Sequence, residues 1–514
     1  MRLRVRLLNI QAGGRNIAVL GDSTASMLGI HSSDRVQVSH GDRHVVAIVN
    51  VASDFPRDHL GVYDEVSKKL NVQTDDEVEV QLAESPQSLH YVQAKIRNER
   101  LRKKEIDSIV RDVVERHLSD IELASFVTAL QIHGLSMDEI EALSRAMAET
   151  GSSLDLDKKC VLDKHSIGGI PGDKTSILVV PIVAAAGFTI PKTSSRAVTS
   201  PAGTADRVES LCPVSLSVEE IKEVVNKTNG CMVWGGALEL APADDIFIQV
   251  EYPLAIDPML LPSIMSKKKA IGATHVVVDI PTGRGAKIKT IGEAENLADD
   301  FIELGQRLGI RVECGVTFGE QPLGHAIGPA LEAREALSTL MGEGPADLVE
   351  KAISLAGILL EMAGLKNGKS RAQDLLSSGK AEQKLREIIG AQGGNSQIRI
   401  EDVRVGDKKQ TVNTDLEGEV MWVNNEDLAK IAKEAGAPKD KGAGVMLLAK
   451  LGDHVKKGDR LFDVYAERDT RLESALKLAA SLQPIGLSRR PEDRMLVSRI
   501  PAPVVHRKAF TLER

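Results

Sequence analysis

Residues 163–176 read DKHSIGGIPGDKTS, a stretch that crowds lysines, a histidine, glycines, a proline and several hydroxyls together. Glycine and proline at this density exclude an ordinary helix interior or central strand, so the stretch reads as a loop. Consecutive backbone N–H groups in a glycine-rich turn form a concave nest for anions. A helix starting near Thr175 adds the positive end of its dipole. Lys164 supplies a full charge, and Ser166 and Ser176 supply hydroxyl donors. The plainer alternative is a glycine-rich turn with solvated charges. A Walker loop is excluded, because the GxxxxGK[ST] spacing fails.

Three further clusters shift the weight toward a ligand. KTSSRAVTSPAGTADRVES (192–210) packs six Ser and Thr hydroxyls before Asp206, with Arg196 and Gly203 among them, a composition suited to phosphate and ribose oxygens. IDPMLLPSIMSKKKA (256–270) places Asp257 before a proline-started helix, as an N-cap or as an acid, and sets Ser263 and Lys267 i,i+4 on one face. IPTGRGAKIKT (280–290) puts Arg284 and Lys287 in a glycine-containing turn after a strand, where α/β proteins keep ligand loops. Several anion-type loops in one α/β layer imply a substrate with more than one phosphate-like group.

These loops need a scaffold, and 514 residues is more than one core usually supports. LGIHSSDRVQV (28–38) and LNVQTDDEVEV (70–80) share a pattern at an offset of 42, each a short helix, a turn and a strand. Residues 1–84 are therefore expected to be a duplicated small β-barrel with an assembly role. SDIE (119–122) and SMDE (136–139) are capping-box starts in an expected helical domain, residues 85–165. THVVVDI (274–280) and RVECGVTFG (311–319) read as strands alternating with helices, which predicts an α/β catalytic domain over 166–415. A strand-rich C-terminal α+β domain follows over 416–514. Its GVMLLAKLGDHVKKGDRLFDVYAE (444–467) has a lipoyl-like pattern but no lysine in an attachment context.

The net charge of −8 argues against a nucleic-acid partner. Cys160, Cys212, Cys231 and Cys314 show no metal-ligand spacing, and with no leader or membrane-length apolar run a cytoplasmic protein is expected.

KHSIGGIPGDKTS resembles the KHSTGGVGDxTS loop of the thymidine and pyrimidine-nucleoside phosphorylase family, and SSRAVTSPAGTADRVES resembles that family's SGRGLxxTGGTLDKLES signature. LAPADD (240–245), Asp257, SIMSKKKA (263–270) and VVVDIPTGRGAK (276–287) follow in the family's order, and the likeness covers about residues 90–500. Departures include an extra Pro171, then Ser195, Ala197 and Pro201–Ala202 in the signature, and Arg284 and Lys287 where the family has a neutral turn. The family's base-reading arginine falls near Val250–Glu251 and is missing. With the added residues 1–84, these features resemble the archaeal, nucleotide-using branch. Its extra cations suit a 5′-phosphate beside a second, inorganic phosphate.

The resemblance implies phosphorolysis of nucleoside 5′-monophosphates, AMP first and CMP and UMP besides, to ribose 1,5-bisphosphate and free base. It implies Asp257 as proton donor to the base. It assigns Gly169, Ser195, Arg196, Ala197, Val198, Thr199, Ser200, Thr204, Ser263 and Lys287 to the nucleotide, with Lys267 as a neighbour. Lys164, Ser166, Ser176 and Ser194 fall to the phosphate, and His165 either orients substrate or is a structural loop residue. It implies no cofactor and no metal, only small-molecule partners, and a homodimer or larger homo-oligomer. The rival readings are a nucleoside phosphorylase, a magnesium-dependent phosphoribosyltransferase of related fold, and a nucleotide-binding regulator.

Overall fold

Alternating valines close the N-terminal segment into a barrel. A computed structural model describes residues 1–197 and 200–488. Strands β1 (Arg2–Leu7), β2 (Ile17–Gly21), β3 (Arg35–His40), β4 (Arg43–Ala52), β5 (His59–Val62) and β6 (Glu77–Leu82) form a closed barrel in the order β1-β5-β2-β4-β3-β6. Leu3, Val5, Val36, Val38, Val78 and Val80 fill its interior, one residue in two along each strand, while charged neighbours face water. Helices α1 (Asp22–Leu28) and α2 (Asp64–Leu70) follow β2 and β5, so β2–α1–β3 and β5–α2–β6 share one element order. Closure leaves no unpaired strand edge.

The helical unit comprises α3 (Ser88–Ile96), α4 (Lys103–Val114), α5 (Asp120–His133) and α6 (Met137–Glu149). Both capping boxes form: the Ser119 hydroxyl accepts from the Glu122 N–H, and the Ser136 hydroxyl from that of Glu139. Glu122 also receives Arg35, whose Nε donates to the His117 carbonyl at 2.9 Å, so the barrel docks on the start of α5.

Five parallel strands follow. β7 (Leu162–Ser166), β10 (His275–Thr282) and β11 (Arg311–Phe318) lie in the order β11-β10-β7, and β8 (Ile190–Ser194) pairs with β9 (Gly230–Trp234). A parallel bridge between Val161 and Thr189 sets the two groups side by side. Around them pack α7 (Thr175–Ala185), α8 (Thr204–Val208), α9 (Val218–Thr228), α10 (Pro242–Leu254), α11 (Leu260–Ala270) and α12 (Ile291–Leu308). Val277 belongs to the core shared with α7, whereas Val276, Val278 and Ile280 belong to the core shared with α11 and α12. Burial on both faces explains why VVVDI is a continuous apolar run.

Helices α13 (Pro329–Leu340), α14 (Ala346–Met362), α15 (Gly368–Ser377) and α16 (Lys380–Ala391) complete this layer. A short strand, β12 (Ala326–Ile327), precedes α13. The C-terminal unit holds β13 (Lys408–Asn413), β14 (Gly418–Val423), α17 (Asn425–Glu434), β15 (Gly444–Leu447), β16 (His454–Val455), β17 (Arg460–Ala466), α18 (Asp469–Leu482) and β18 (Ile485–Ser488).

The expected divisions at 165/166 and 415/416 need correction. The first would cut β7, whose Lys164, His165 and Ser166 all register with β10 in the central sheet. The second would separate β13 from β17, with which it pairs along its length. The helical unit is also discontinuous, because Ala243, Ile246 and Phe247 of α10 join its core and the Phe247 ring lies 6.2 Å from that of Phe126.

Leu178 on α7 is fully buried in the larger core, while Leu254 at the end of α10 is exposed. Leu178→Ala is expected to cost about 2–5 kcal/mol and Leu254→Ala less than about 0.5 kcal/mol. Thermal melts of the two variants check the contrast.

Candidate active site

Parallel strands deliver all the loops at their C-terminal ends to one edge of the sheet. The segments after β7, β8 and β10 hold the three glycine- and hydroxyl-rich stretches. Gly168 and Gly169 have φ of +79° and +96°, and a Cβ on Gly169 would stand 2.6 Å from the Lys287 backbone nitrogen. The first loop and the Lys287 turn therefore touch, and glycine is what allows it. Lys287 Nζ lies 3.1 Å from Asp257 Oδ2, each side chain about half exposed (47% and 46%). Asp257 is not a helix cap: α11 begins at Leu260 with Met259 before it and no side-chain cap. A left-handed residue, Ala255 at φ +52°, ends α10 and starts the turn that carries Asp257.

Beneath the first loop lies a buried ionic layer. Lys164, 2% exposed, stands 3.6 Å from Asp173 and 3.7 Å from Asp279, both longer than a close ion pair. Lys351 of α14 holds Asp279 at 2.8 Å, and the Thr317 hydroxyl donates to its other oxygen at 2.6 Å. Asp173 stands just before α7 and accepts from the Thr175 N–H and hydroxyl at its start. Burial opposes its ionisation, yet the Lys164 and Lys351 cations hold its carboxyl well below the usual range. Lys268 reaches Asp163 at 2.5 Å, and Lys192 stands 3.9 Å from the same carboxylate. His165 sits among these cations; burial, then Lys268, Lys192 and Lys164, push its pKa well down and keep the imidazole neutral.

The second loop is braced from inside. Asp206 Oδ2 accepts from the N–H groups of Ala197 at 2.7 Å and Gly203 at 2.9 Å. A Cβ on Gly203 would lie 2.6 Å from the Ser195 carbonyl oxygen, so the loop folds tightly on itself. Arg196 differs from the expectation of a nucleotide contact: its guanidinium binds Glu209 through two hydrogen bonds, 2.7 and 2.6 Å, and covers the Trp234 ring at 4.8 Å. It shapes the loop, and its side chain is already committed. Ser194 donates to the Val233 carbonyl at 3.2 Å, and Ser200 to that of Ala202 at 3.1 Å. Thr204 opens α8, with its hydroxyl 3.4 Å from Arg207. Val198 and Thr199 lie outside the described residues.

Ser166 accepts weakly from the Gly168 N–H at 3.4 Å, and Ser176 is buried in the first turn of α7. On α11, Lys267 pairs with Asp244 of α10, one turn beyond Ser263.

Residue reading alone did not single out Asp163, Asp279, Lys351, Lys192, Lys268 or Glu251 as site residues. The two aspartates stand inside motifs already quoted, whereas Lys351 is mid-helix with no local signal. Glu251 of α10, 6% exposed, has an oxygen without a hydrogen-bond partner. Burial, then the charges of Asp257 and Asp244, push this carboxyl up to about 7.

Among the described residues, a cluster with metal-ligand spacing is Asp112, Glu115 and His117, at the end of α4 and away from the loops. There His117 Nδ1 is 3.0 Å from Asp112 and 3.3 Å from Glu115, an ion-pair arrangement. No helix among the described residues is long and apolar enough to cross a membrane.

Known proteins share this architecture. Residues 89–151 match the helical bundle domain of a glycosyl transferase family, 158–382 its a/b domain, and 420–486 a pyrimidine nucleoside phosphorylase C-terminal domain. The AMP phosphorylase of Thermofilum pendens is 50% identical over 97% of this chain and 98% of its own. That of Thermococcus kodakarensis is 51% identical over 94% and 97%. Anthranilate phosphoribosyltransferase from Thermus thermophilus is similar in fold, with a TM-score of 0.51 at 23% identity, over 59% of this chain and 99% of that one. The chain belongs to the AMP phosphorylase family, and it is an enzyme that transfers pentosyl groups.

The Glu251 carboxyl gives a pH signature. Its pKa in the folded chain lies above the ordinary value of 4.5, so its contribution to stability is complete below that value and is lost as pH rises through about 7. Glu251→Gln should therefore match the parent protein near pH 5 and exceed it near pH 8, by on the order of 2–3 kcal/mol at most. Thermal midpoints at the two pH values measure the difference.

Proposed function

We propose that this member of the family cleaves AMP by phosphorolysis, orthophosphate taking the ribosyl group and adenine leaving. The observation that carries this reading is the meeting of the glycine-rich loop with the Lys287 turn, which brings an anion nest against the Lys287–Asp257 pair. The names of relatives at about half identity over nearly the whole chain support it.

In this reading the bond between C1′ and the base nitrogen breaks through an oxocarbenium-like state, its electron pair goes to the base, and a phosphate oxygen bonds to C1′. Lys164, Ser166, Ser176 and Ser194, with the Gly168–Gly169 N–H groups, hold the attacking phosphate. The loose pairing of Lys164 leaves its charge available for that contact. Gly169, the 195–200 loop (of which Val198 and Thr199 lie outside the described residues), Thr204, Ser263 and Lys287 hold the nucleotide. Asp257 delivers the proton to the departing base. Glu251 adds a second carboxyl to this region, pushed up to about 7 by burial and then by the charge of Asp257. Neutral His165 orients substrate rather than adding charge.

The finer expectations belong to the same reading. CMP and UMP are further substrates, and the enzyme is a cytoplasmic homodimer or larger homo-oligomer. Ile121 and Ile132, exposed on α5, suit an interface through the helical unit. The barrel is a duplicated unit, β5, α2 and β6 each beginning 42 residues after β2, α1 and β3 (Ile17 and His59, Asp22 and Asp64, Arg35 and Glu77).

A phosphate-dependent base-release assay tests the function. AMP should be consumed only with orthophosphate, and adenosine and uridine about 10²-fold less efficiently. Efficient uridine cleavage would instead favour the nucleoside phosphorylase suggested by the match of residues 420–486. Asp257→Asn should lower kcat by about 10²-fold or more, and turnover near that of the parent enzyme would remove Asp257 from the proton step.

A further inference from the structure

The buried ions of the catalytic layer can be matched one by one. Lys174 has Glu335 and Arg207 has Glu332, while the partly exposed Lys267 has Asp244. Lys351 and Lys164 share Asp279 and Asp173. Lys268 has Asp163 at 2.5 Å. Among the described residues, one cation of this layer then remains without a carboxylate of its own. Lys192, 4% exposed, has the distant side of Asp163 at 3.9 Å and donates to the carbonyl of Thr193.

This surplus lysine lies under the anion loops. It is on β8, two residues before Ser194. Counted along from the Val161–Thr189 bridge, it is level with Lys164 and Ser194 is level with Ser166. The groups facing it are Asp163, Lys164 and His165 from β7, Lys268 from α11, and the Cys231 thiol from β9. One of these is an anion, and Lys268 already pairs with it. A buried ammonium in such surroundings is costly unless a negative charge arrives or the proton leaves.

We propose that Lys192 couples anion binding to proton uptake: it is neutral in the empty site and takes a proton from solvent when a dianionic phosphate group fills the loops above it. The bound anion then supplies the negative charge that the protein withholds. Burial and the Lys268 cation push the empty-site Lys192 down to about 7, in keeping with this. The inference deepens the proposed function and rests on it only for the identity of the anion.

Calorimetric titration with inorganic phosphate at about pH 8.5, in two buffers of different ionisation enthalpy, reads the uptake directly. The parent protein should take up close to one proton per phosphate bound. Lys192→Met should take up none and bind phosphate about tenfold more weakly. Thermal midpoints of the empty proteins give a second readout. At Lys192 the folded state of the parent holds fewer protons than the unfolded one between about pH 7 and 10, so this group adds stability as pH rises there, and Lys192→Met should lack that contribution relative to the parent. Buffer-independent heats for the parent protein, or equal uptake by the variant, would overturn the proposal. Buffer-dependent phosphate binding with no base release from AMP would leave it standing and count against phosphorolysis instead.

Discussion

Ammonium groups taken out of water must be matched by negative charge, and that requirement organises the catalytic layer. Lys164, Lys268 and Lys351 are all buried, and Asp163 and Asp279 are fully buried with them. Asp163 sits on β7 and Asp279 on β10, neighbouring parallel strands, while Lys268 comes from α11 and Lys351 from α14. The same salt bridges that let these lysines be buried tie the sheet to helices on both its faces. Removing one partner would leave the other charged and alone, a far larger penalty than the net worth of the pair. Substrate binding and sheet packing thus draw on one set of charges.

The loops above that layer show a second economy. Their polar atoms are mostly engaged with one another before any ligand arrives: Asp206 holds Ala197 and Gly203, Glu209 holds Arg196, and Ser194 holds Val233. Such internal bracing fixes the backbone N–H groups in place, and fixed dipoles lose less on binding than mobile ones. Arg196 illustrates the point, since its position in the signature suggested a ligand contact while its geometry makes it a brace.

Much of this was legible in the chain itself. The barrel followed from alternating valines, the helix starts from two capping boxes, and the sheet from VVVDI and its companions, because these are local patterns with local causes. The loops were visible through glycine density and hydroxyl content, whereas the close approach of Gly169 to Lys287 depends on the fold. What was hidden is what depends on distant partners. Lys351 pairs with Asp279 across 72 positions of chain with nothing in VEKAIS (349–354) to mark it. Nor could the pattern reveal that α10 crosses into the helical core, since its apolar stripe fits either unit. The boundaries at 165 and 415 failed for a related reason: a strand belongs to the sheet that pairs with it, whatever the composition on either side.

The clasp between Glu209 and Lys441 has a consequence for biosynthesis. Glu209, which holds Arg196 and thereby the second loop, is also gripped by Lys441 of the C-terminal unit, 232 residues later. Asn425 likewise donates to the Gly319 carbonyl at 2.9 Å, beside the end of β11. At ~5–20 residues per second, a ribosome needs roughly 10–50 s to travel from one partner of the clasp to the other. Through that interval the barrel and helical unit can fold, while the nucleotide loop waits without its outer support. The nascent enzyme is therefore a scaffold with an unfinished site, which gains its outer support only once the unit that carries Asn425 and Lys441 has left the ribosome.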